Sequence, residues 1–182
     1  MRDMTLGNLQ SAFAGESQAH MRYLIYADKA AQDGFPTVAR LFRAIAYAEQ
    51  VHATNHFRHM RDERGAALTV AHAGFGLGPT ADNLEIAIGG EEFEVNEMYP
   101  VYKQAAALQE ERGAELSFEW AWRAEKIHAG MFRAAREAVL KGEDMCLGTV
   151  QICSACGHTL EGEAPECCPI CGAPREKYVA FA

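Results

Sequence analysis

The residues best equipped for chemistry in this chain are carboxylates and imidazoles at helical spacing. Glu49-x-x-His52 and Glu125-x-x-His128 each set a carboxylate and an imidazole one turn apart on one helix face, where both can reach a common cation. A Gly-Glu pair precedes each motif. Gly15-Glu16 leads Glu49 by 33 residues, and Gly90-Glu91 leads Glu125 by 34, so the chain carries one hairpin pattern twice. A single glutamate on a helix is normally a solvated charge. Here each one falls in an apolar stripe: Leu9, Phe13, Glu16, Tyr23; Leu41, Ile45, Glu49, His52; Leu84, Ile88, Glu91; Phe118, Ala121, Glu125, His128. Buried ionised carboxylates cost several kcal/mol each and repel one another, so they must protonate or surround cations. Mixed oxygen and imidazole donors suit iron or manganese, with zinc possible. One Glu from each of two helices and Glu-x-x-His from each of the other two is a two-metal ligand plan. Glu16 and Glu91 fill the single-Glu roles.

Glu94 breaks the repeat, since its first-half counterpart is Ala19. An extra carboxylate makes the two metal positions inequivalent. It predicts that one metal exchanges a ligand with oxidation state, taking carboxylate Glu94 when ferric and neutral His52 when ferrous. Glu97, a turn further, reads as a solvent-facing group. Tyr23 and Tyr99 lie close enough along their helices to aim phenols into the pocket, and a phenol there can donate to a bound oxygen species. Tyr23, Tyr99, Glu94 and His52 are therefore the candidate catalytic side chains. His20 and His56 sit near the stripe and read as supporting or exposed groups.

A second constellation lies at the C-terminal end. All six cysteines fall between Cys146 and Cys171, and four form Cys153-Ser-Ala-Cys156-Gly and Cys168-Pro-Ile-Cys171-Gly, with eleven residues between the pairs. Four thiolates in a tetrahedron hold zinc or a single iron. A one-electron iron centre beside a two-metal site makes chemical sense, because it can feed that site. Cys167 adjoins Cys168, but Cys168 gives the Cys-x-x-Cys spacing. Cys167 and Cys146 read as free thiols. Tyr178 and Phe181 are expected to pack over the tail.

Helices must position the first constellation. The spacing predicts a helix from about Thr5 to Ala31, stopped by Asp33-Gly34. A second opens at Phe35-Pro36 and runs to about Arg64. Residues 65–79 show no sustained periodicity and are long enough to cross a bundle. A third helix runs from Thr80 to Arg112, with Asp82 and Glu85 as a capping box and a kink at Pro100. A fourth runs from Ala114 to Leu140, with Gly142 as its C-cap. The expected fold is an all-α four-helix bundle of ferritin-like type, with a long crossover between its second and third helices. Composition shifts near Lys141-Gly142-Glu143-Asp144 to Gly, Pro, Cys and short β-prone pieces. This divides the chain into a bundle over 1–141 and a small β-rich metal knuckle over 148–182.

The formal net charge of −8 argues against a general nucleic-acid binder or docking on an anionic membrane. There is no transmembrane-length apolar run, and the opening residues lack the apolar run of a signal peptide. Cysteines grouped as metal knuckles fit a reducing compartment, so a cytoplasmic location is expected.

These motifs together resemble the rubrerythrin family: Gly15-Glu16-Ser17-Gln18-Ala19, Glu49-x-x-His52, Gly90-Glu91-x-x-Glu94-x-x-Glu97-Met98-Tyr99-Pro100, Glu125-x-x-His128 and the two cysteine knuckles. The resemblance implies a ferritin-like bundle followed by a rubredoxin-like domain, and a non-haem di-iron peroxidase that reduces hydrogen peroxide to water under oxidative stress. It implies two irons held by Glu16, Glu49, His52, Glu91, Glu94, Glu125 and His128. It implies one iron held by Cys153, Cys156, Cys168 and Cys171. It also implies electrons from NAD(P)H through a separate reductase or rubredoxin, and a homodimer or higher homo-oligomer in which one subunit's tail faces the other's di-iron site. The competing reading is a ferroxidase or iron-handling protein.

Overall fold

The computed structural model describes all residues, 1–182. Its helices are α1 (Asp3–Gln32), α2 (Pro36–His59), α3 (Thr80–Phe93), α4 (Tyr99–Leu108) and α5 (Arg112–Leu140). A π-helical turn, Glu94–Met98, joins α3 to α4, so the two form one interrupted rod. The expected four-helix bundle is therefore present, with α1 packed along α2 and α3–α4 packed along α5. Residues 65–79 form no helix or strand and cross between the hairpins. No helix is long and apolar enough to cross a membrane.

Three expectations are corrected. The second helix ends at His59 rather than Arg64, because Arg61 to Arg64 are exposed and have no face to bury. Asp82 does not open a capping box, since it lies inside α3, whose N-cap is Pro79. The exposed amide is met instead from the end of α1: Asp33 accepts from Thr80 N at 3.1 Å and Thr80 Oγ1 at 2.8 Å. Pro100 does not simply kink a continuous helix. It sits in the first turn of α4, where its missing N–H costs little, and the π turn just before it absorbs the mismatch. The end of α5 matches expectation: Gly142 takes φ 78°, and its N–H bonds the Val139 carbonyl at 2.9 Å.

The core is split by a polar layer. On one side lie Tyr23, Tyr26, Phe42 and Phe132, with ring centroids 5.1–5.9 Å apart, among alanines of α1 and α2. On the other lie Leu9, Ala12, Met98, Tyr99, Phe118 and Ala121. Along every rod, the glutamates and histidines of the motifs fall between these clusters.

The tail holds a three-stranded antiparallel sheet, ordered β2 (Thr159–Glu161), β1 (Val150–Cys153), β3 (Tyr178–Phe181). Val150 and Ile152 of β1 pack on Ala44 and Ala48 of α2, whose small side chains let the strand approach closely. Phe181 meets Tyr47 of α2 at 5.8 Å, so of the two aromatics only Tyr178 covers the cysteines.

Candidate metal centre

The four rods bring six predicted ligands into one buried layer. Glu16, Glu49, His52 and Glu125 form one four-donor set, and Glu49, Glu91, Glu125 and His128 form another, with ligand atoms within 4.8 Å of one another in each. Glu49 and Glu125 belong to both. This is the geometry of two cations bridged by two carboxylates, each capped by one further Glu and one His. All six residues are at most 2% exposed.

One oxygen of each glutamate in these sets, namely Glu16 Oε2, Glu49 Oε1, Glu91 Oε2 and Glu125 Oε1, is buried with no hydrogen-bond partner. Buried polar atoms are rarely left so. Four such oxygens in one layer are what cations between them would satisfy, so the donor set fits a pair of metals. Without cations, protons take their place. Burial, then the charges of neighbouring carboxylates, raises Glu16 and Glu91 well above the usual range. Burial opposes ionisation of Glu49 too, but His128 and His52 hold it well below that range. Burial likewise opposes the charged imidazoles, yet Glu125 and Glu49 raise His52 well above its ordinary value and His128 to about 9.

Glu94 lies in neither set. It is half-buried on the π turn, and burial followed by the charges of Glu125 and Glu49 raises its carboxyl. His52 occupies the position for which the two were expected to compete. Its Nδ1 lies 2.7 Å from Glu125 Oε1 and 3.0 Å from Glu49 Oε2. Glu97 is exposed, as read from its spacing.

Both tyrosines reach the layer. Tyr23 Oη donates to Glu91 Oε1 at 2.6 Å, and Tyr99 Oη donates to Glu16 Oε1. Each phenol crosses from one hairpin to the glutamate of the other. His56, fully buried, extends the second contact: its Nε2 lies 3.0 Å from Tyr99 Oη, and its Nδ1 lies 2.8 Å from Ser117 Oγ. Burial holds His56 down at about 3, so it is neutral. Because Tyr99 donates onward, His56 must donate from Nε2 and accept from Ser117 at Nδ1. The result is a one-way donor chain, Ser117 to His56 to Tyr99 to Glu16. Ser117 was missed in the sequence, for nothing local distinguishes it from a surface serine. His20 is half-buried, with Nδ1 at 2.7 Å from the Ala46 carbonyl, and takes no part.

The four cysteines converge as expected. Cys153 and Cys171 sulfurs are 3.8 Å apart, and those of Cys156 and Cys168 are 3.5 Å apart. A metal bonded to four sulfurs at about 2.3 Å requires a sulfur–sulfur edge of about 3.8 Å, so the knuckles fit one tetrahedral metal. Cys146 and Cys167 are exposed and outside this group.

The tail lies against the same chain's carboxylate layer, whereas the resemblance implied that it would face a partner's. Asn55 Nδ2 donates to the Ala155 carbonyl at 2.9 Å. His128 Nε2 lies 2.8 Å from Thr159 Oγ1, which itself donates to the Gly157 carbonyl at 3.1 Å. That bond keeps the His128 N–H outward and leaves Nδ1 for the layer. Gly157, at φ 81°, is closer still: a Cβ there would fall 2.0 Å from His52 Nε2. Only glycine permits both this turn and this approach. The short span of β1 packed on α2 sets the placement.

Comparison with known proteins agrees with this geometry. The family model described as rubrerythrin matches residues 7–136, and one described as rubrerythrin, rubredoxin-like domain matches residues 151–179. The chain is 46% identical over 178 residues to rubrerythrin-2 of Clostridium acetobutylicum, covering 98% of this chain and 97% of that protein. It is 31% identical over 182 residues to nigerythrin of Nitratidesulfovibrio vulgaris, covering 97% and 86%. The solved structure described as the fully reduced, all-ferrous state of nigerythrin superposes with a TM-score of 0.85 at 30% identity, covering 100% of this chain and 88% of that one.

Proposed function

The chain belongs to the rubrerythrin family, and from that premise we propose that it is a non-haem di-iron peroxidase reducing hydrogen peroxide to water, as protection against oxidative stress. The observation carrying this reading is the pair of buried ligand sets that share Glu49 and Glu125, with a four-cysteine knuckle seated directly against His52. In this reading residues 1–141 are the di-iron bundle and 148–182 the electron-entry domain. Glu16, Glu49, His52, Glu91, Glu125 and His128 hold two irons, and Glu94 exchanges with His52 on one of them. Cys153, Cys156, Cys168 and Cys171 hold a third. When bound, the iron pair supplies the two electrons that split the O–O bond, and the cysteine-bound iron passes electrons inward one at a time.

The side chains supply the rest. Splitting peroxide consumes protons, and Tyr99 holds one at Oη beside Glu16, backed by His56 and Ser117. Tyr23 holds another beside Glu91. Burial, then the adjacent carboxylates, raises both phenols well above their ordinary value, so they remain donors at neutral pH. The aromatic cluster and the Phe118 cluster exclude water from either side of the layer. Thr159 fixes the His128 ring. Electrons reach the tail from an NAD(P)H-linked reductase or a rubredoxin, in a homodimer or larger homo-oligomer in the cytoplasm.

The decisive experiment mixes the fully reduced protein with hydrogen peroxide or with dioxygen in a stopped-flow instrument. The expected result is faster oxidation by peroxide. Preference for dioxygen would replace this reading with a ferroxidase.

A further inference from the structure

A cavity of about 320 Å³ opens beside Glu94, between α1, α3 and the crossing segment. On the same measure, about 10–15 Å³ holds one water, so the space far exceeds what hydrogen peroxide needs. It falls in the range of small-molecule sites, about 300–1,000 Å³. A larger groove of about 520 Å³ on α1 and α2 touches none of the candidate ligands, so size alone does not single out the site.

The walls of the cavity next to Glu94 are unusual. Three are helix-interior glycines, Gly15, Gly89 and Gly90. None has a positive φ. A Cβ would lie 3.9 Å from Ala71 at Gly15, 3.7 Å from Arg22 at Gly90, and in open space at Gly89. Backbone strain and crowding therefore do not require glycine at any of them, although glycine is disfavoured within helices. Their shared effect is to leave room. Gly15 and Gly90 directly precede Glu16 and Glu91, so the room adjoins the metal ligands. The carboxyl of Glu94, raised partly by Glu125 and Glu49, links it to the same layer.

The remaining lining has two characters. Ile86 and Phe93 offer an apolar side. Arg22 offers a cation: its Nη1 donates to Gln18 Oε1 at 2.5 Å, while its Nε is buried without a partner. A ligand matching this cavity is small, apolar at one end and polar at the other.

We propose that this cavity is the substrate entrance and that it admits small alkyl hydroperoxides as well as hydrogen peroxide. The alkyl group lies against Ile86 and Phe93, and the hydroperoxide end faces Arg22 and Glu94. This rests on the peroxidase reading. The reaction balances as ROOH with two electrons and two protons giving ROH and water. The O–O bond breaks, both its oxygens are reduced, the electrons come from the external one-electron donor through the cysteine centre, and the protons come from solvent.

The test uses the iron-loaded full chain with hydrogen peroxide and tert-butyl hydroperoxide, in the native protein and in Gly89→Leu, with Gly89→Ala as a control for helix effects. The native protein should reduce both. Gly89→Leu should lose at least about 10-fold in kcat/KM for the alkyl substrate while hydrogen peroxide changes by less than about 3-fold, and Gly89→Ala should resemble native. An independent readout is the anomalous bromine signal in crystals soaked with 2-bromoethanol. A peak between Gly89 and Phe93 in native crystals, absent in Gly89→Leu, is expected. Turnover of hydrogen peroxide alone by the native protein overturns this inference and leaves the peroxidase reading standing. Equal loss of both substrates in Gly89→Leu, or no bromine peak in native crystals, also overturns it. Failure to reduce either substrate removes both readings together.

Discussion

The side chains of the carboxylate layer are individually costly and collectively neutral. With no cation present, Glu49 and Glu125 are held down while His52 and His128 are held up, and Glu16 and Glu91 keep protons. Metal must displace these protons. Uptake of ferrous or zinc ion at neutral pH should therefore acidify a weakly buffered solution, and apparent affinity should fall as pH drops below about 9, where His128 titrates. Stability of the metal-free chain follows the same signs. Carboxyls raised in the fold favour it fully below roughly pH 4.3, their unfolded value. Histidines raised in the fold favour it fully below their own unfolded value, roughly 6.5. Both contributions are lost as pH rises through the folded values. The metal-free melting temperature should thus decline from mildly acidic to alkaline pH, and the increment from metal should widen; a metal-free Tm that rises over that span would contradict the assignment. Tyr99→Phe removes only the oxygen that ends the donor chain. It should slow peroxide reduction by roughly 10²-fold while leaving the visible spectrum of the cysteine centre unchanged, and Ser117→Ala should have a smaller effect in the same direction.

The elements matter through where they stop. The π turn at Glu94–Met98 interrupts an otherwise regular rod beside the ligands, keeping Glu94 out of both sets while bringing Tyr99 to Glu16. Heptad-like spacing in the sequence marked Glu94 as a ligand neighbour, but a π turn shifts the face of everything beyond it, and no local residue announces the shift. Asp33 has a similar lesson. It ends α1, pairs with Lys29 at 2.5 Å, and receives both Thr80 bonds, so one carboxylate links the two hairpins at the start of α3. Asp33→Ala removes a cap worth about 1 kcal/mol, which in a chain of this size is a fall of about 2–4 °C in Tm. Calorimetry of the metal-loaded protein checks this, and Asp82→Ala should produce no comparable fall, since Asp82 does not cap.

At the scale of the whole molecule, the position of the tail sets the route for electrons. Gly157 against His52 and Asn55 against Ala155 bring the cysteine knuckle onto its own chain's layer. A protein with Asn55→Cys and Ala155→Cys, and with the two exposed cysteines Cys146 and Cys167 replaced by serine, should oxidise to a crosslink within one chain. A non-reducing gel running at monomer mass supports this placement, whereas a covalent dimer would mean that the tail serves a partner. Cys153→Ser should leave a single turnover of the pre-reduced site intact and slow only its re-reduction.

Much of this protein is determined by local sequence. Spacing at one helical turn puts Glu49 with His52 and Glu125 with His128 whatever surrounds them. The duplicated Gly-Glu pairs mark the other two glutamates, and Cys-x-x-Cys-Gly closes on itself. Tertiary structure alone decided that Glu49 and Glu125 are the shared pair and that Glu94 stands aside. It alone set Asp33 to cap a helix 47 residues away, and placed Gly157 and Thr159 against the two histidines. The reason is physical. Periodicity fixes the face on which a side chain lies, because that depends on backbone geometry within a few residues. Which atom meets it from across the molecule depends on how rods and sheet pack, and packing is a property of the assembled chain.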